Sequence, residues 1–143
     1  LGNRYTHGHV YDFYFKLKKN KDKLKVLGNG LQNKSYIHIF DLLQAINIIL
    51  NKQRNKIEIF NVGINETKKI KSSIKIIVKF LKVNPKILYE DKSSGWSGDI
   101  PNIHLDCKKL TDLGWKNNFN IEESIIDTIK WIDNNQTTLN KLK

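Results

Sequence analysis

The glycine turn Gly28-Asn29-Gly30 is followed by Lys34-Ser35-Tyr36-Ile37-His38-Ile39-Phe40-Asp41, and then by the apolar pair Leu42-Leu43. This order points to an α/β plan: a turn releases a short β-rich run, and an acidic residue then starts an amphipathic helix. Lys34, Tyr36 and His38 occupy alternate positions, so on a strand they project from one face. A cation, a phenol and an imidazole on one face suit an anionic ligand with hydrogen-bonding groups.

The same turn is not a dinucleotide cradle. Its string Gly28-Asn29-Gly30-Leu31-Gln32-Asn33 has no third glycine and runs into strand-like residues, whereas a pyrophosphate cradle opens a helix. The chain starts at Leu1 and contains no methionine. The expectation is a C-terminal part of a longer enzyme, with its cofactor half ahead of Leu1.

With 143 residues, 39% of them hydrophobic, the chain can bury a modest core. No apolar run approaches the ~20 residues that span a bilayer, so no membrane role is expected. One cysteine, Cys107, allows no internal disulfide, offers no Cys-rich metal framework and fits a reducing, cytoplasmic setting. The net charge of +11 comes almost wholly from lysine, alongside much asparagine and isoleucine. That composition is what an AT-rich genome favours, and the lysines are spread along the chain apart from Lys16, Lys18, Lys19, Lys21, Lys23 and Lys25. They read as a solvated basic surface whose field also attracts a diphosphate.

Tyr11, Phe13, Tyr14, Phe15 and Leu17 predict a helix, and residues 24–27 and 36–40 predict strands. Asp41 is expected to N-cap the next helix with Gln44 as its capping-box partner. Leu42, Ala45, Ile46, Ile49 and Leu50 would form that helix's inner face. Residues 57–62 predict a buried strand, assigned to the large sheet of the cofactor half. Thr67 is expected to cap a helix carrying Ile70, Ile74, Ile77, Val78 and Leu81, stopped by Pro85, before a strand over residues 86–89. Residues 91–101 read as a loop. Residues 106–113 read as a short helix with Gly114 as its left-handed cap. Asn120 and Glu123 start the last helix, with Ile121, Ile125, Ile129 and Ile132 or Trp131 inward. The folded part is expected over residues 1–133, with a frayed tail over 134–143.

Several strings, in order, resemble the nucleotide-sugar epimerases and dehydratases, which are extended short-chain dehydrogenases/reductases. They are Leu1-Gly2-Asn3-Arg4, then His7-Gly8-His9-Val10-Tyr11-Asp12-Phe13, then the strand of residues 24–28. The Gly28 to Asp41 stretch follows, then Ile59-Phe60-Asn61-Val62-Gly63, and last Gly98-Asp99-Ile100-Pro101 with Asp106, Lys109 and Leu113-Gly114-Trp115. The resemblance covers nearly the whole chain. It implies the substrate-binding portion of a Rossmann-like, NAD-dependent enzyme of the UDP-glucose 4-epimerase type. NAD would be bound by the absent half, and the full-length enzyme would be a homodimer.

The resemblance places Gly8, His9 and Val10 in the segment opening the nucleotide pocket, and Lys25 and Leu27 on the strand edge beside the base. Lys34 takes the position of the family's diphosphate-binding arginine, and Tyr36 follows it. Trp96 stands where UDP-galactose-type epimerases carry a second arginine, and Asp99 closes that motif. Lysine replaces a planar fork with a point charge, and Trp96 replaces a charged contact with a stacking surface.

Other constellations carry less. Tyr14 and Lys18 have the Tyr-x-x-x-Lys spacing of reductase catalysis but no partner serine, and the family's pair would precede Leu1. His7, His9 and His104 lack a supporting carboxylate or cysteine for a metal. Cys107 reads as a buried small residue. A basic nucleic-acid-binding module is the alternative function, without a recognition helix, aromatic ribonucleoprotein strand or zinc framework to support it. An inactive remnant of a split gene is a third.

Overall fold

The computed structural model describes residues 8–52, 55–95, 100, 102 and 105–141. Along the chain run α1 (His9–Lys19), β1 (Lys23–Val26), β2 (Asn33–Lys34), α2 (Ile39–Lys52), β3 (Lys68–Lys69) and α3 (Ile70–Leu81). They are followed by β4 (Lys86–Tyr89), α4 (Lys108–Asp112), α5 (Ile121–Asn134) and α6 (Gln136–Lys141). In β1 the lysines point to solvent while Leu24 and Val26 are buried, the period-two pattern of a strand with one inner face. β1 pairs in parallel with β4, Leu24 opposite Ile87 and Val26 opposite Tyr89. A parallel pair needs a crossover, and α2 and α3 lie in the intervening chain.

The core sits where α1, α3 and α5 pack together. Tyr14 and Leu17 from α1, Ile74 and Ile77 from α3, and Ile121, Ile125 and Ile129 from α5 are buried there. Their spacing is the three-to-four-residue repeat of a single helix face, each large side chain contributing about 1.5–3 kcal/mol through burial. α5 begins as expected: the Asn120 side chain accepts from Glu123 N at 2.9 Å and Glu123 Oε2 accepts from Asn120 N at 2.8 Å. Ile132 is the inward residue and Trp131 is exposed. Gly114 takes φ +87 after α4, as its left-handed role requires.

The run after the glycine turn departs from expectation. Only Asn33–Lys34 is a strand, paired antiparallel with Lys68–Lys69; residues 36–38 are irregular, and α2 begins at Ile39. His38, not Asp41, caps that helix. Its Nδ1 accepts from Phe40 N at 3.3 Å and its carbonyl from Leu42 N at 3.0 Å. Asp41 is fully buried within the first turn, its carboxylate accepting from Asn118 N at 2.9 Å, Asn118 Nδ2 at 3.1 Å and Phe119 N at 3.1 Å. Gln44 joins the same bracket, accepting from Asn118 Nδ2 at 3.4 Å rather than closing a capping box. Thr67 likewise does not cap α3; its hydroxyl accepts from Asn33 Nδ2 at 2.8 Å, joining the β2 and β3 regions.

Residues 57–62 belong to no strand ladder among the described residues, and Ile57 and Ile59 are 84% and 83% exposed. The expected buried strand is therefore an open segment here. Ile39, Phe40, Leu43, Ile46 and Leu50 of α2 are also exposed, so the helix turns much of its apolar face to solvent. The tail expected to fray instead folds as α6, with Leu139 buried. α6 is held through Tyr14, whose hydroxyl donates to Asp133 and accepts from Gln136 Nε2 at 2.7 Å.

Asp41→Ala should lower the unfolding free energy by about 2–4 kcal/mol, because it removes three hydrogen bonds that Asn118 and Phe119 donate to a fully buried carboxylate. Asn120→Ala, which removes only a helix cap, should cost about 1 kcal/mol. Urea unfolding of both variants checks this; equal losses would mean that the Asp41 bracket contributes no more than a cap.

Candidate functional site

A cavity of about 420 Å3 lies between the start of α1, the glycine turn and β2. The turn is built for close approach. A Cβ on Gly28 (φ +73) would meet Gln32 Nε2 at 2.1 Å and Ser94 O at 2.8 Å, and one on Gly30 (φ +71) would meet the Tyr89 ring at 2.5 Å. Lys71 N donates to Gly30 O and Ile70 N to Gln32 O, so the start of α3 anchors the turn. Space near these glycines is filled by protein, and the turn leads to β2 rather than a helix. The residues present therefore do not fit an NAD pyrophosphate at this turn.

α1 presents His9, Asp12, Phe13 and Lys16 to the cavity at i, i+3, i+4 and i+7 spacing, one face of the helix. Across from them stand Leu27, Gln32, Lys34 and Tyr36. The His9 and Tyr36 rings stack with centroids 4.4 Å apart, and Phe13 meets His9 edge-on at 6.1 Å. Lys34 Nζ donates to the carbonyl of Ile100. Lys16 Nζ lies 5.9 Å from the Phe13 ring centroid. The arrangement offers two cations, stacked aromatic rings and an apolar floor, a combination suited to a phosphorylated ligand with a planar group.

Among the expected residues, the structure brings Gly8, His9, Leu27, Lys34 and Tyr36 together around this cavity. Val10 is buried and lines the adjoining cavity of about 670 Å3, which shares Gly8, His9 and Tyr36 and holds His38. Lys25 is exposed on β1 and does not line the cavity, because the strand alternation that buries Leu24 and Val26 turns it outward. Trp96 and Asp99 lie outside the described residues, as do His7 and His104. Asp12, Lys16 and Gln32 were missed; the helical spacing from His9 was the signal for the first two.

His38 does not join Lys34 and Tyr36. Its ring stacks on Phe119 at 3.9 Å and its Nε2 lies 3.1 Å from Asp127 Oδ2, a role in holding α2 to α5. Tyr14 and Lys18 also serve the fold, since Lys18 Nζ lies 3.4 Å from Asp133 Oδ1, beside the Tyr14 hydrogen bond. Burial and Asp133 push the Tyr14 phenol upward, opposite to the shift that activates a catalytic tyrosine. Burial likewise raises the Cys107 thiol, disfavouring a reactive thiolate. Asn61 Nδ2 donates to Asp106 O at 2.9 Å, tying the open segment to the approach to α4.

Burial lowers the His9 pKa to about 4, so its imidazole is neutral near pH 7. The unfolded imidazole takes up its proton near 6.5. The unfolded state therefore binds more protons between those values, and the His9 contribution to stability, complete above 6.5, is lost as pH falls toward 4. NMR titration of the His9 ring should show a midpoint near 4 and no titration between about pH 5.5 and 8. A midpoint near 6.5 would put the ring in water instead of against the cavity wall.

No protein-family model matches the chain. It is 28% identical over 131 residues to a Methanocaldococcus jannaschii protein provisionally assigned as a UDP-glucose 4-epimerase, covering 92% of this chain and 41% of that protein. The dTDP-glucose 4,6-dehydratase of Bacillus anthracis, solved with NAD, superposes with a TM-score of 0.77 at 20% identity, over 95% of this chain and 42% of the other. The UDP-glucose 4-epimerase of Thermotoga maritima, solved with UDP-glucose, gives 0.77 at 21% identity, over 90% and 40%. At these identities the two structures speak for the fold alone, an α/β arrangement that forms about two fifths of each of those chains. In sequence and fold the chain is similar to NAD-dependent nucleotide-sugar epimerases and dehydratases, and it spans about two fifths of the length of these relatives.

Proposed function

We propose that this chain is the nucleotide-sugar-binding part of an NAD-dependent epimerase or dehydratase of the UDP-glucose 4-epimerase type. The observation that carries the reading is the cavity that joins Lys34 to Gly8, His9, Leu27 and Tyr36. Lys34 holds the diphosphate by charge, aided by Lys16, while the aromatic and apolar wall receives the planar base. The chain then contributes affinity and orientation, because gripping the nucleotide handle fixes where the sugar reacts. NAD and the residues that move protons belong, on this reading, to a part of the protein outside these 143 residues. The exposed face of α2 with Ile57 and Ile59 is where that part would pack.

Isothermal titration with UDP-glucose tests the reading. Lys34→Ala should weaken binding by ~1.5–3 kcal/mol, the usual worth of a hydrogen bond to a charged group. Lys34→Arg should retain or improve it, because a guanidinium fork fits phosphate oxygens. Lys19, exposed at the end of α1, is the control, and Lys19→Ala should change binding little. Equal effects of the two alanine variants at physiological salt would reduce Lys34 to a surface charge.

The chain alone, supplied with NAD and a UDP- or dTDP-sugar, should show no turnover. Conversion of the sugar by the isolated chain would place the chemistry within these residues.

A further inference from the structure

Gln32 is a buried polar side chain whose hydrogen bonding is incomplete. It is 3% exposed, it lines the cavity, and its Oε1 has no hydrogen-bond partner among the described residues. Its backbone is pinned by Ile70 N, and its amide packs against Gly28 so closely that a Cβ there would collide with Nε2. His9 Nε2, on the opposite wall, is also enclosed without a partner. Buried polar atoms are nearly always satisfied, so two unmet ones in one cavity call for a ligand that satisfies them.

The kind of ligand follows from the count and the walls. A sugar would bring many hydroxyls, whereas Phe13, Leu27 and Ile70 give this cavity an apolar surface. A planar ring with one N–H donor flanked by carbonyl acceptors fits better: the donor meets Gln32 Oε1, and the neutral His9 ring can donate to a carbonyl. That pattern is the imide edge of uracil or thymine. Cytosine presents a bare ring nitrogen where the imide has its N–H, and would set acceptor against acceptor.

We propose that Gln32 is the residue that selects an imide base, accepting the ring N–H at Oε1, in the nucleotide bound as described under Proposed function, on which this inference rests. A site built around a buried hydrogen-bonding group rejects analogues that leave it unmet more strongly than an apolar pocket rejects a change of size.

The test is titration of the 143-residue chain with UDP and CDP, in wild type, Gln32→Leu, Gln32→Glu and Lys34→Ala. Wild type should favour UDP by about tenfold or more. Gln32→Leu should bring the two ligands to within about threefold, by losing the bond to UDP and the clash with CDP. Gln32→Glu keeps the acceptor and should keep the preference even if added negative charge weakens both nucleotides, since the ratio cancels that effect. A wild-type ratio near one overturns the proposal without recourse to any variant. A preference unchanged in folded Gln32→Leu, with Lys34→Ala still weakening UDP, overturns the Gln32 assignment alone and leaves Oε1 to water. Absence of measurable UDP binding in wild type overturns this inference together with the substrate reading.

Discussion

The Asp41 carboxylate, fully buried in the first turn of α2, holds the loop before α5 by three hydrogen bonds from Asn118 and Phe119. Trp115 Nε1 adds a bond to the Asp41 carbonyl at 3.2 Å. A buried charge is tolerated only when its lone pairs are met, and meeting them here fixes the loop against the helix. Phe119 is thereby set against the His38 ring, and His38 in turn caps α2 and reaches Asp127 on α5. The connection from β2 into α2 is held at its far end by this bracket. Tyr36 sits on that connection and forms one wall of the cavity.

Where local chemistry decides conformation, the sequence was readable. Asn120 with Glu123 and Gly114 each have a near-neighbour cause and appear as expected, and a strand forms at Lys23–Val26 where one was read over residues 24–27. The run after the glycine turn misled because alternation of Tyr36 and His38 fits a strand but does not supply a strand partner. The ladder ends at Lys34, and His38 turns to cap the helix instead. Asp41 illustrates the same limit, since an aspartate beside a helix start reads as a cap. Only the three-dimensional approach of residues 118 and 119, far along the chain, shows it to be a clamp. Gln32 had no sequence signal, because its importance lies in burial and an unmet oxygen.

The exposed apolar face has a different origin. Leu43, Ile46 and Leu50 recur at helical spacing, as a buried helix requires, yet face solvent here, and Ile57 and Ile59 do the same on an open segment. These residues obey the rules of a core that the described residues do not complete. The chain also spans about two fifths of its relatives' length, and those two facts support the proposal that a cofactor-holding part packs on this face. The cavity lined by Lys34 and Tyr36 lies between α1, the glycine turn and β2, and on the proposed reading the chain itself supplies the groups that bind the nucleotide.

Amide chemical-shift mapping with UDP-glucose tests that claim most directly, because it reports the binding site without substituting any residue. The account predicts saturable shifts concentrated at Gly8, His9, Leu27, Gln32, Lys34 and Tyr36, with little change along Lys19, Lys21 and Lys23. Shifts centred on those exposed lysines, or no saturable shifts at millimolar ligand, would contradict it.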